Sequence, residues 1–432
     1  MKKKLIGLYY GIIPLLIIGI SYHYTSFILV LFTLAFLLCL TNRHTIGVYL
    51  LIFGGPLAGL IRSAYPFLPL YGLLVQMLGS LLVWDVVSDL FKTNRKPLIF
   101  FFSVLVVLGL FYLIGPRDEY ANEKFYQMCV NGVFAVFGYY AFDRSQSIDS
   151  DNLTRLLLLS SLCMSTYLLD FLHVAAGGLF DYNWFRDGYM ELFYANDKEN
   201  LITGYQSVGM AALFGIAVYL SSVEVKTVPL VINSLCATQI ILMSGARQAL
   251  VGLAVVIALR MTVFRKANVH AGKHSARILF GLIVSIAVLY MIFLFYGNLG
   301  SDVINKTLKG GDTGRSLIYL QALSIFTENK LFGIGIGGFH AVTGVPWPHN
   351  FFLELLCETG LVGTILLLGV AITSLVRNRL SLLHLTKSDM FFFLILLVLF
   401  VRVMFSSDFR ESIELFSAVS ALIGAESTYE RQ

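Results

Sequence analysis

Long stretches with almost no charge are the feature that most limits what this chain can fold into. Three of them, FILVLFTLAFLLCL (27–40), LIFFFSVLVVLGLFYLIG (98–115) and FFFLILLVLFVRVMF (391–405), contain a single charged residue between them. A helix that crosses a bilayer needs roughly 20 such residues. Lipid offers no partner for unpaired backbone groups, so these stretches must be helical. The sequence therefore predicts an all-α, polytopic integral membrane protein.

The apolar stretches divide into fourteen predicted spans, of which the last is the shortest. They cover 5–22, 25–41, 46–61, 69–90, 97–115, 125–142, 155–178, 201–221, 227–243, 248–264, 278–297, 351–375, 389–406 and 411–425. With the N-terminus inside, the inner loops hold nineteen of the 31 Lys and Arg residues. This bias follows the positive-inside rule and places both termini in the cytoplasm.

The longest hydrophilic stretch, residues 298–350, then faces outward. Its segment 315–328 is predicted to be an amphipathic helix on the membrane surface. The run FGIGIGGF (332–339) has G-x-G-x-x-G spacing, but a dinucleotide site needs a strand before it and a helix after it. A tight loop permitted by glycine is the favoured interpretation, and no nucleotide or other cofactor is expected.

Four ionisable residues lie in or near the predicted spans: Asp85, Asp170, His173 and Arg402. Each costs free energy in lipid unless it is paired. Two interpretations stay open for each of them, a partnered structural group between helices or a proton relay in a transporter.

Candidate site residues gather on the outer side under this topology. Arg247 follows one span, Arg315 lies in the outer loop, and His349 and Asn350 precede the span that contains Glu358. Arginine presents a planar fork of donors that suits phosphate oxygens. Histidine titrates near neutrality and can accept a proton from a hydroxyl. This set suits glycosyl transfer from a lipid diphosphate without a metal, and Arg186 is a fourth candidate for it.

The alternative interpretations are structural. An arginine in an outer loop is more often paired with solvent or lipid headgroups, and a histidine before a helix is more often structural. Asn350 is also a plausible N-cap for the span that follows it.

Three motifs in this order resemble the O-antigen ligase/polymerase superfamily. The first is S-x-x-R…L, and the second is a glycine-rich N-x-L-x-G-x-G-x-G-x-F; the third is H-N-x-x-L-x-x-L-x-E-x-G-x-x-G. They are matched by Ser244, Arg247 and Leu250; by Asn329, Leu331, Gly333, Gly335, Gly337 and Phe339; and by His349, Asn350, Leu353, Leu356, Glu358, Gly360 and Gly363. The resemblance covers about residues 240–375 and implies a GT-C-like helical architecture. It divides the chain into N-terminal spans (1–240), a catalytic region (241–375) and C-terminal spans (376–432).

The resemblance also implies roles and partners. Arg247 and Arg315 would bind the diphosphate of an undecaprenyl-diphosphate-linked oligosaccharide, and His349 would act on the acceptor hydroxyl. Arg186, Asn350 and Glu358 would contribute to substrate binding, Glu358 mainly by shaping its helix. The expected location is the bacterial cytoplasmic (inner) membrane, with the active site on the outer face. Membrane lipid and a polysaccharide chain-length regulator are the other expected partners; nucleic acid and nucleotide are not.

Four functions remain open, and one of them is the attachment of glycans to protein by a further branch of the superfamily, which shares the same motifs. The favoured one is a surface-polysaccharide (O-antigen) polymerase, which transfers a glycan onto the non-reducing end of a lipid-linked repeat unit. The second is an O-antigen ligase, which transfers the glycan to lipid A–core in lipopolysaccharide biosynthesis. The third, from another class, is a glycolipid flippase or secondary transporter, which typically shows internal repeats and polar sites at the membrane midplane.

Overall fold

The computed structural model describes residues 42–54, 71–145, 148–172, 205–221, 227–262, 315–377, 387–405 and 408–424. All regular secondary structure in these residues is helical. The helices are α1 (Arg43–Ile52), α2 (Tyr71–Leu82), α3 (Trp84–Lys92), α4 (Lys96–Ile114), α5 (Glu119–Arg144), α6 (Ser150–Leu172), α7 (Tyr205–Leu220), α8 (Thr227–Ser244), α9 (Arg247–Thr262), α10 (Arg315–Glu328), α11 (Gly338–Thr343), α12 (Phe351–Arg377), α13 (Lys387–Phe405) and α14 (Phe409–Gly424). The expected all-α class is thus confirmed for the described residues.

The chain forms two compact units. Unit 1 comprises Met1–Leu82, Gln146–Lys309 and Leu382–Val398, and unit 2 comprises Val83–Ser145, Gly310–Ser381 and Leu399–Gln432. In unit 1, α7 packs against α6, α8 and α9, and α1 packs against α2 and α6. Helix α7, which lies at the centre of these contacts, contains no Asp, Glu, Lys or Arg. The core of unit 1 around it is therefore mainly apolar.

Unit 2 is built around the pairing of α5 with α14. These helices approach closely at Gly132, where an added Cβ atom would lie 2.9 Å from the Ile413 side chain of α14. The Ser417 hydroxyl donates to the Gly132 carbonyl across the same contact, at 3.0 Å. Helix α12 packs against α4, α10 and α14. The α5–α14 pair thus supports α12, the helix that follows His349.

Two described helices are long and apolar enough to cross a membrane, α4 over Lys96–Ile114 and α12 over Phe351–Ile372. Four shorter apolar helices are Gln206–Leu220, Val228–Leu242, Gln248–Ala258 and Phe393–Met404. These helices agree with a multi-pass membrane protein, while the number of fourteen spans and the GT-C-like arrangement stay predictions. The predicted spans 5–22, 25–41 and 278–297 lie outside the described residues.

The predicted span 69–90 is not one continuous helix. Helix α2 ends at Leu82 and α3 begins at Trp84, and the two together form a broken apolar pair. Counting this pair as one span would make three candidate spans in the described residues.

Helix α10 occupies the predicted segment 315–328, but it is not simply amphipathic. Ala322 and Ile325 are buried against the body of unit 2. Leu317 and Leu320 on other faces are 62% and 64% exposed. Exposed leucines suit contact with lipid, so this helix is apolar on its free side as well as its packed side.

Arg402 near the end of α13 is a paired group. Its guanidinium contacts Glu411 at 3.2 Å and Glu414 at 3.1 Å, both on α14. The structural interpretation therefore holds for Arg402. His173 lies outside the described residues.

Candidate active site

Five helix ends of unit 2 meet at one end of that unit: the C-terminal ends of α4 and α13 and the N-terminal ends of α5, α12 and α14. The Tyr120 hydroxyl on α5 donates to the Pro346 carbonyl at 2.6 Å. The Asn350 side-chain amide donates to the Met404 carbonyl at 3.1 Å. We call this end of unit 2 the mouth. The residues 346–350 are held there between α5 and α13.

A charged triad lies buried beside the mouth. Lys124 on α5 contacts Glu354 on α12 at 2.5 Å and Glu358, one turn further, at 2.9 Å. All three side chains have no solvent exposure. The two glutamates are four residues apart, so both carboxylates lie on the helix face that meets α5. Removing one member of a buried ion pair typically costs about 3–5 kcal/mol, because the partner charge is left uncompensated.

Glu358 also holds the glycine-rich loop. The backbone N–H groups of Gly337 and Phe339 donate to its carboxylate. The loop backbone pairs in addition with α12, as Gly335 N–H donates to the Glu358 carbonyl at 2.9 Å. Glu358, which the sequence assigned to substrate binding, thus joins three elements of unit 2: α5, the loop and α12.

Helix α12 is broken at Gly360, where φ is +63° and ψ is −167°. The loop fills this break, because Leu361 N–H donates to the Lys330 carbonyl at 2.8 Å and Val362 N–H donates to the Leu331 carbonyl at 3.0 Å. A Cβ atom at Gly360 would lie 2.4 Å from the Leu331 carbonyl oxygen. Only glycine fits a left-handed backbone at such a close approach.

The loop itself confirms the interpretation of FGIGIGGF as a tight turn. Gly333, Gly335 and Gly337 all have positive φ, of 63°, 80° and 82°. A Cβ atom at Gly333 would lie 2.5 Å from the Glu358 carbonyl carbon. The glycines therefore serve backbone-to-backbone packing, and the helix that follows, α11, is only six residues long.

Asn350 is the N-cap of α12, as the sequence predicted. Its side-chain oxygen accepts from the Phe352 and Leu353 N–H groups at 3.0 and 3.2 Å. Its amide nitrogen donates to Met404, as described above. One side chain thereby starts α12 and ties it to α13, which fixes the position of the preceding residue, His349.

His349 lies at the mouth with a strained backbone. Its φ is +55°, which is rare for a residue other than glycine and is retained mainly where function requires it. Its Nδ1 is buried and has no hydrogen-bond partner among the described residues. Burial lowers the pKa of His349 to about 4, helped by the positive charge of Arg315 and opposed by Asp408. The imidazole is therefore neutral at physiological pH and can accept a proton.

The predicted arginines lie in different parts of the chain. Arg315 is the first residue of α10 in unit 2, and its charge acts on His349. Arg247 is the first residue of α9 in unit 1. Arg186 lies outside the described residues. Unit 2 thus brings together Arg315, His349, Asn350 and Glu358.

Sequence reasoning missed a second group of residues at the mouth, which we call the Trp347 cluster: Tyr120, Trp347, Asp408 and Arg410. The Arg410 guanidinium lies 5.5 Å from the Tyr120 ring centre and 5.4 Å from that of Trp347. Its Nε donates to Asp408 at 2.5 Å. Under the predicted topology, residues 116–124 and 407–410 both lie in loops on the outer side of the membrane. This shared side was the signal in the sequence for the group.

The described residues contain no group of three or more His, Cys, Asp or Glu side chains that could hold a metal ion. The groups described above at the mouth include instead a neutral histidine, Arg315, Arg410, Asp408 and aromatic rings. They suit binding of a phosphate or a sugar and transfer of a proton.

The comparisons with known proteins agree with this chemistry. None of the curated proteins matches the chain. Residues 232–368, which include Arg247, Arg315 and His349, match the family model described as O-Antigen ligase. This match supports the resemblance of the segment to the O-antigen ligase/polymerase superfamily, whose members are glycosyltransferase-type membrane enzymes.

Proposed function

We propose that this protein is a surface-polysaccharide polymerase of the bacterial inner membrane. It transfers a glycan from undecaprenyl diphosphate to a hydroxyl at the non-reducing end of the next lipid-linked repeat unit. The observation that carries the proposal is the state of His349. Its backbone is strained, its imidazole is neutral, and its Nδ1 has no hydrogen-bond partner in the described residues. The positive charge of Arg315 contributes to the lowered pKa of the imidazole.

His349 acts as the general base. A base must be unprotonated at the working pH, and the lowered pKa of His349 meets this condition. The acceptor oxygen attacks the anomeric carbon of the donor glycan while His349 takes the hydroxyl proton. The bond from the anomeric carbon to the diphosphate oxygen breaks, and the electron pair leaves with undecaprenyl diphosphate.

Arginines hold the leaving group. Arg315 supplies a permanent positive charge beside His349, and guanidinium groups bind phosphate oxygens in pairs of hydrogen bonds. For Arg247 and Arg186, a role in binding the diphosphate rests on the resemblance to the superfamily alone. The energy of transfer comes from the glycosyl-diphosphate bond, so the reaction uses no nucleotide.

Glu358 and Asn350 position the base. Asn350 caps α12, and Glu358 locks α12 to α5 and to the glycine-rich loop. Catalytic groups must be held within fractions of an ångström, and α12 begins two residues after His349. In this proposal both residues act through the placement of His349, and the mouth faces the outer side of the membrane.

The test of the base is His349→Ala. Loss of a general base lowers the rate about 10²–10⁴-fold, so polymer should disappear while the protein remains at normal abundance. His44→Ala, a histidine of unit 1, is the matched control and should retain polymer. Normal chain lengths in the His349→Ala strain would refute the role.

The ligase is the second candidate, because the family model that matches residues 232–368 is described as O-Antigen ligase. The surface glycan profile of a strain that lacks the gene separates the two. Lipid A–core bearing one repeat unit, with the ladder gone, identifies the polymerase. Bare lipid A–core, with long polymer left on undecaprenyl diphosphate, identifies the ligase.

A further inference from the structure

The Trp347 cluster is a second set of polar groups beside His349 that the proposed mechanism does not use. In the described residues the Arg410 guanidinium makes one hydrogen bond, from Nε to Asp408. Its two terminal amino groups remain available to a ligand. The guanidinium contacts the Tyr120 and Trp347 rings, at 5.5 and 5.4 Å from the ring centres, and these two cation–π contacts restrict its movement.

Trp347 connects this cluster to the base. Its ring meets the His349 ring edge to face, with 5.4 Å between the ring centres. Its Nε1 is buried and has no hydrogen-bond partner among the described residues. A buried indole N–H usually finds a partner. The Trp347 N–H and the Nδ1 of His349, whose rings are in contact, are thus both available to a bound molecule.

The charge of the cluster decides what kind of molecule fits. The Arg410 charge is balanced by Asp408, whose side chain is 3% exposed. Just below, the single positive charge of Lys124 faces the two carboxylates of Glu354 and Glu358. This surrounding is neutral to negative, which disfavours a diphosphate. Fixed donors, one acceptor and an aromatic ring instead suit a neutral ligand rich in hydroxyl groups.

We propose that Trp347, Asp408 and Arg410 form the subsite for the acceptor sugar. The sugar ring lies against Trp347, its hydroxyls bond to Trp347 Nε1, Asp408 and Arg410, and its reacting hydroxyl is thereby directed to His349. This inference rests on the proposed glycosyl transfer. It divides the mouth into a donor side at Arg315, which binds the charged diphosphate, and an acceptor side at Trp347, which binds the uncharged glycan.

The test uses the intrinsic fluorescence of Trp347 in the full chain. The sequence has three tryptophans, so Trp84→Phe with Trp184→Phe leaves Trp347 as the sole reporter. Two probes are titrated in detergent: the repeat unit as its methyl glycoside, which has acceptor hydroxyls and no leaving group, and inorganic pyrophosphate. The expected result is a saturable change with the glycoside and none with pyrophosphate. A change with pyrophosphate alone, or with neither probe, overturns the subsite.

A kinetic measurement tests the same proposal if the variant with Trp347 as its sole tryptophan does not fold. In the otherwise unchanged protein, Trp347→Leu should raise the KM for the methyl glycoside acceptor roughly tenfold, which corresponds to one lost contact of moderate strength. The KM for the lipid-linked donor should stay within about twofold, because the donor does not contact Trp347 in this proposal. Trp347→Phe, which retains a flat ring, should recover part of the affinity, and Trp84→Phe is the control. A rise in donor KM instead would overturn the assignment.

The two hypotheses fail in different ways. Binding of the glycoside by a protein that performs no transfer would retain the subsite and reject the proposed function. Transfer with unchanged acceptor KM in both Trp347→Leu and Arg410→Lys would retain the function and reject the subsite. The His349→Ala variant should still bind the methyl glycoside, because the subsite does not require the base.

Discussion

Helix α7 of unit 1 and helix α12 of unit 2 are both apolar helices, yet they are held in different ways. Residues 208–220 of α7 are all buried, and the helix contains no charged residue. The first half of α12 carries two buried glutamates paired with Lys124, and the helix is broken at Gly360. Packing alone suffices where a helix only fills a core. Charges and a break appear where a helix must place a particular side chain.

The largest expected effect is on the triad. Lys124→Met leaves two buried carboxylates without their cation and should lower the free energy of unfolding by about 3–5 kcal/mol. Thermal unfolding of the purified protein in detergent measures this loss. Adding Glu354→Gln and Glu358→Gln to Lys124→Met should recover most of it, since no unpaired charge remains.

The recovery is the decisive part of that experiment. A neutral triad that restores both stability and transfer would show that the charges serve only to pack α12. Restored stability with impaired transfer would support the proposed positioning of His349. A Lys124→Met protein as stable as the wild type would mean that the buried charges do not stabilise α12, so that packing alone holds α12 as it holds α7.

The two helices were not equally predictable from the sequence. The apolar runs predicted helices in both places, because local hydrophobicity is enough to specify a buried helix. The four-residue spacing of Glu354 and Glu358 is visible in the sequence as one shared face. Their partner Lys124 is 230 residues from Glu354, and nothing in local pattern identifies a partner at that separation. The triad therefore required the structure.

The same distinction holds for the mouth. The N-cap role of Asn350 and the tight glycine loop were predicted, because capping and turn geometry depend on neighbouring residues. The break at Gly360 was not predicted, because it depends on the loop at Leu331 filling the gap in α12. Arg410 was missed for a similar reason: its contacts with Tyr120 and Trp347 join three separate parts of the chain.

Glycine substitutions sharpen the comparison with a smaller effect. Gly360→Ala puts a side chain on a left-handed backbone, which costs about 1–2 kcal/mol, and its Cβ would also meet the Leu331 carbonyl oxygen. In α7, the atoms nearest to a Cβ at Gly215 belong to the side chains of Leu157 and Leu158, at 3.3 Å. Gly215→Ala therefore requires a small shift of these leucines, and a gain of up to about 1 kcal/mol of helix propensity offsets its cost. Unfolding midpoints of the two variants should therefore differ, with Gly360→Ala clearly lower.

Gly369→Ala is the control within α12, because a Cβ there meets no atom within 4 Å. It should be neutral or slightly stabilising. Equal losses for Gly360→Ala and Gly215→Ala would mean that the break in α12 carries no special constraint.

The smallest expected effect is a shift in the pH dependence of kcat/KM. It depends on His349 at the mouth, and α7 has no equivalent residue. In the proposed mechanism His349 is the base and must be neutral, so the rate should fall as the pH drops through its pKa. Because burial lowers that pKa to about 4, kcat/KM should stay flat between pH 5 and 7 rather than fall near the ordinary value of 6.5. The Arg315 charge lowers the same pKa, so Arg315→Gln should move the acid limb to higher pH. Arg315→Lys retains the charge and should leave the limb in place. Burial lowers the pKa of His349 more than the Arg315 charge does, so the acid limb of Arg315→Gln should remain below pH 6.5. An acid limb at pH 6.5 in the wild type would mean that the base is an exposed group other than His349.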